Sequence, residues 1–129
     1  MRFTYYLSSD RPMPAEECWA PWAIPSHTGA FGFSVEEAEL DPAELTGLPV
    51  LDEVYCLELQ KDPETLPALK AYLEENMAPD GQVQLWRVIK SSRHDRRPPC
   101  RYRGKLMDLD IETFRLLFDD QELCISIEY

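Results

Sequence analysis

Gln82-Val-Gln-Leu-Trp-Arg-Val-Ile-Lys90 is the stretch on which the reading of the fold turns. Pro79-Asp80-Gly81 ahead of it forms a helix stop and turn, and its β-branched and aromatic content suits a pleated, half-buried surface, so it reads as a strand. Immediately upstream lies a helix. Thr65 stands as its N-cap, Pro67 is tolerated in the first turn, and Leu66, Leu69, Leu73 and Met77 share one face. Lys70 and Glu74 sit i,i+4 on the other side.

Downstream, Asp110 caps a short helix whose Ile111, Phe114, Leu117 and Phe118 share a face. Glu122 to Tyr129, ELCISIEY, is then the last strand, with Leu123, Ile125, Ile127 and Tyr129 expected to face the core. Further out, residues 2–8 alternate Phe3, Tyr5 and Leu7 against Thr4, Tyr6 and Ser8, as a strand does. Phe31, Phe33 and Val35 alternate in the same way, although Ser34 and Glu37 also fit a capping box opening a short helix. Residues 53–60 place Tyr55, Leu57 and Leu59 on one face, and Asp41-Pro42 to Gly47 reads as one helical turn.

The elements predict an α+β fold: a mostly antiparallel sheet of about five strands in the order β-β-β-α-β-α-β, with both helices on one face. Two long loops, 9–30 and 91–104, connect them. Prolines 12, 14, 21 and 25 exclude a long helix from the first, and Pro98-Pro99 forces extended backbone in the second. At 129 residues with 44% apolar content, the chain is expected to be a single domain, 1–129, able to bury its own core. No stretch approaches the ~20 apolar residues of a membrane span, and no apolar signal-peptide core is present at the start, so a cytoplasmic protein without membrane contact is expected. The four cysteines, at 18, 56, 100 and 124, form no CxxC pair and read as reduced thiols.

Charge is unevenly placed. Arg87 to Lys105, RVIKSSRHDRRPPCRYRGK, holds eight of the thirteen basic residues and one acid, Asp95, in a chain whose net charge is −11. Residues 12–60 hold ten acids and no base. Like charges at such density need water, salt or a negative partner to screen them. Arg93, Arg96, Arg97, Arg101 and Arg103 therefore form a candidate anion- or partner-binding set, since guanidinium forks match carboxylate and phosphate bidentately. The competing account is that the island folds back on the chain's own acidic 36–58 region or is merely solvated. Tyr102, between Arg101 and Arg103, offers a stacking surface for a single-stranded nucleobase. Trp19 and Trp22 in CWAPWAIPSH are a candidate aromatic contact surface, against the simpler account that they cap an open end of the core.

Other chemistries leave weaker marks. Cys100 among arginines, with His94 six residues away, is the arrangement a cysteine-dependent enzyme would use. Cys18, His27, His94 and Cys100 have no zinc-knuckle spacing, and arginines disfavour a cation, so no metal is assigned. No glycine-rich phosphate loop or HExxH is present, and no cofactor is assigned. The sequence points to a non-enzymatic intracellular interaction module, of adaptor, inhibitor or immunity type, binding another protein's acidic surface. The alternatives are a single-stranded nucleic-acid or phosphate-ligand binder using 87–105, and the Cys100/His94 enzyme. Oligomeric state is not legible.

Overall fold

The computed structural model describes residues 3–20, 31–37, 50–60, 65–89, 99–119 and 121–129. They form seven strands: β1 (Phe3–Ser9), β2 (Glu16–Ala20), β3 (Phe31–Glu37), β4 (Glu53–Leu59), β5 (Gln82–Ile89), β6 (Cys100–Lys105) and β7 (Leu123–Glu128). Helix α1 (Thr65–Asn76) lies between β4 and β5. Between β6 and β7 come a 3-10 turn (Leu106–Asp108) and α2 (Ile111–Phe114), which tightens into a 3-10 turn over Arg115–Phe118. The strands make one sheet in the order β2-β3-β4-β1-β5-β7-β6. Every pairing is antiparallel except β6 with β7. A parallel pair needs a crossover, and α2 with its flanking turns supplies it.

The α+β class, the antiparallel majority, the five expected strands and both helices are present. Two strands are additional. β2 lies inside the expected loop 9–30, and β6 inside the expected loop 91–104. Both are sheet edges, where a short strand survives with charged residues because only one side must pair and little of it must be buried. β6, CRYRGK, has a single large apolar residue, Tyr102, and so shows almost no hydrophobic alternation. The expected turn at 41–47 lies outside the described residues.

The period of two sorts the sheet into two faces. On one, Leu7, Phe33, Val35, Tyr55, Leu57, Val83, Leu85, Leu123, Ile125 and Ile127 pack against Leu66, Leu69, Tyr72, Leu73 and Met77 of α1 and against Leu106, Leu109, Phe114 and Leu117. Both helices therefore cover the same face. The opposite face carries a smaller cluster of Tyr6, Trp86, Val88 and Cys124, flanked by Val50 and Val54. Beside it the Trp86 indole N–H donates to Ser8 Oγ at 3.3 Å, and the Ser8 hydroxyl donates to Gln84 Oε1 at 2.9 Å.

Two local expectations need correction. Tyr129 is 49% exposed: β7 ends one residue earlier, at Glu128, and although the Tyr129 N–H still donates to Gly81 O at 3.1 Å in the β5–β7 register, its side chain lies past the end of the strand. The hydroxyl oxygen of Thr65 accepts from Gly32 N–H at 2.9 Å. That side chain ties the start of α1 to β3 instead of capping its own helix. Asp110, in contrast, caps α2 as expected, accepting from Thr113 N–H at 2.7 Å.

Candidate functional site

The basic island divides between two environments. Arg87 shares the face of Val83 and Leu85 on β5 and is 5% exposed beneath the helices. Its guanidinium lies 5.9 Å from the centre of the Tyr5 ring, and its Nη1 donates to Leu117 O at 3.3 Å. The Tyr5 hydroxyl donates to the same carbonyl at 2.6 Å. Burial raises the Tyr5 pKa, and the Arg87 charge offsets part of the rise. Arg87 thus belongs to the core and leaves the island's surface.

Arg101, Arg103 and Lys105 remain, all exposed along edge strand β6. Arg101 Nη2 donates to Gln121 Oε1 at 2.8 Å, which orients one guanidinium, and none of the three forms an ion pair with another described residue. Tyr102 and Gly104 pair with Ile125 and Ile127 and so take the core-facing side, whereas Arg103 and Lys105 pair with Ser126 and Glu128 on the other face. The Tyr102 hydroxyl donates to Lys105 O at 2.7 Å. Its ring lies over Gly104, where an added Cβ would meet the phenol oxygen at 2.9 Å. Desolvation, then the charges of Asp108 and Asp110, raise the Tyr102 pKa. The ring is therefore committed to the helix side of the sheet, on the opposite face from the Arg103 and Lys105 side chains.

Glu36 and Glu37 lie on β3 and Glu53 and Glu58 on β4, all exposed. From β6 the sheet must be crossed by four strands to reach β4 and five to reach β3. At ~4.8 Å per strand that is about 19 and 24 Å. Both exceed the Debye length of ~8 Å at physiological salt. The sheet thus has an acidic end, to which Glu16 on β2 also belongs, and a basic edge at the other end.

Arg93, Arg96, Arg97 and His94 lie outside the described residues, as do Trp22 and His27. Trp19 stands on β2, its backbone opposite Gly32, at the far edge from β6. Cys18 is on that same strand, six strands from Cys100, or ~29 Å by strand spacing, so the two cannot share a metal ion.

Cys100 is exposed and is the register partner of buried Cys124 on β7. The register shifts between Cys100 and Tyr102, and the Cys100 thiol donates to Tyr102 O at 3.1 Å across that irregularity. Burial pushes the Cys124 thiol up to about 12, and the neighbouring Cys100 adds to the rise. Sequence reading missed this pair, because 100 and 124 show no spacing signal. It also missed Met107, which is 82% exposed beside Lys70, Glu74, Leu106 and Tyr129 in an open depression.

Among the described residues no helix is long and apolar enough to cross a membrane. A scan against protein-family models found no match, and neither did searches of curated proteins and of solved structures.

Proposed function

We propose that this chain is a non-enzymatic protein-interaction module that docks an acidic surface of another protein through its basic edge. Arg101, Arg103 and Lys105 on β6 would make the contact, extended by Arg93, Arg96 and Arg97, which precede that strand in sequence. One observation carries the reading: Arg101 and Arg103 line an exposed edge and form no ion pair with another described residue, four strands from the acidic strand β4, whereas Lys105 stands opposite Glu128 on β7. Self-neutralisation was the strongest competing account, and that separation counts against it for the β6 residues.

An edge strand also presents unpaired backbone groups, which lets an extended acidic peptide add to the sheet while its carboxylates meet the guanidinium forks. Complementary charge of this kind governs association rate and partner choice more than affinity. Tyr102, turned to the helix face, is poorly placed to stack a base beside Arg103, which favours a protein partner over single-stranded nucleic acid. The lack of any CxxC spacing in the sequence favours a reducing compartment, the cytoplasm.

The test is a nuclease-treated pull-down at low and moderate salt with wild type and an Arg101→Glu/Arg103→Glu variant. Wild type is expected to retain a partner that moderate salt weakens and the variant loses. Identical capture by both proteins would remove the basic edge from the account, and capture abolished by nuclease would move it to nucleic acid.

A further inference from the structure

Neighbouring strands lie ~4.7–4.9 Å apart, inside the ~4.4–6.8 Å range of Cα separations that a disulfide spans. Cys100 and Cys124 are register partners across such a pair, directly opposite one another on neighbouring strands. The irregularity after Cys100 releases that residue from the regular pleat, leaving its Cβ freer to approach Cys124. The other described thiol, Cys56, lies on β4, three strands from β7, or ~14 Å. Cys18 lies on β2, five strands from β7. Neither competes for Cys124 without unfolding.

We propose that Cys100 and Cys124 are a redox-responsive pair, which a peroxide-class oxidant converts to an intramolecular disulfide that clamps the basic edge strand β6 onto β7. Cys100 is the entry point, being exposed and beside Arg101, while Cys124 is buried and kept protonated. In the first step the Cys100 sulfur attacks the peroxide, the O–O bond breaks, and a sulfenic acid and one water form. In the second, the Cys124 sulfur attacks the Cys100 sulfur, the S–S bond forms, the S–O bond breaks, and the hydroxyl leaves as water with the Cys124 proton. Two thiols and one peroxide thus become one disulfide and two waters. The sulfurs are oxidised and the peroxide reduced, and an external dithiol reverses the change by exchange. Backbone pairing supplies the proximity: Cys124 N–H donates to Pro99 O at 2.9 Å, holding the two strands at this point.

The experiment treats the reduced full chain with hydrogen peroxide and reads intact mass, non-reducing peptide maps and hydrogen exchange. Expected are a loss of about 2 Da, a peptide linking Cys100 to Cys124, exchange of β6 amides slowed about tenfold or more, and reversal by dithiothreitol. Cys56→Ser is expected to leave all of this intact. Cys100→Ser, at an exposed position that folding tolerates, is expected to abolish the link. The proposal is overturned if peroxide only adds oxygen to Cys100, if the link formed involves Cys18 or Cys56, or if it joins two copies of the chain. It does not depend on the docking reading, since the linkage is measured with no partner present.

Discussion

Thr65 shows how one hydroxyl can join two layers. Its Oγ1 is fully buried and accepts from the Gly32 N–H, so the first residue of α1 is fastened to β3. Replacing it with Val keeps the shape and removes the acceptor, leaving a buried amide without its partner. Such a loss costs about 1–3 kcal/mol. Urea denaturation of Thr65→Val is expected to show a lower midpoint with an unchanged slope, and Thr65→Ser to restore most of the difference. Arg87 makes a related point. Its charge is held below the helices against Tyr5 and Leu117 O, a placement that a run of basic residues in sequence does not reveal. Gly104 is likewise explained only by its neighbour, since the Tyr102 ring occupies the space a Cβ would need.

At the scale of elements, α2 depends on its cap. The Asp110 carboxylate accepts from Thr113, which lowers its pKa below the ordinary 3.8, with Lys70 a smaller contributor. A carboxyl group lowered in the folded state stabilises the fold at any pH above its unfolded value and loses that contribution as pH falls through the folded one. Asp110→Ala is therefore expected to melt below wild type at pH 7, with the gap narrowing as the pH drops below about 4. A thermal scan across pH reads this directly, and a gap that stays constant down to pH 2 would show that the charge contributes nothing. The Asp110 cap and the faces of both helices were legible because local bonding and a 3.6-residue period leave marks within a few residues. β2 and β6 left none. Edge strands pair on one side only, so Glu16, Glu17, Arg101 and Arg103 are permitted where a central strand would demand apolar residues.

Among the described strands, charge is unevenly placed at the scale of the sheet. Residues 12–60 are acidic and base-free, and their described strands occupy one end of the sheet, while exposed Arg101, Arg103 and Lys105 line the other edge. Crowded like charges at the acidic end repel one another, and salt screens them. Raising sodium chloride from about 10 mM to 150 mM is expected to raise the melting temperature by roughly 2–4 °C. A fall instead would mean that attractive pairs dominate. The same salt is expected to weaken partner capture at the basic edge, so stability and binding should respond in opposite directions.

Periodicity, caps and composition are local properties of the chain, and they were enough to reveal the α+β class, five of the strands, both helices and the concentration of basic charge. Tertiary structure alone decided which of those charges belong together. It moved Arg87 into the core, turned Tyr102 to the helix face, and set β6 at an edge distant from Glu36 and Glu58. It also paired Cys100 with Cys124 through a parallel crossover built by α2 and its flanking turns. Strand order and register are long-range properties, settled by which faces can be buried together, and no window of neighbouring residues contains them.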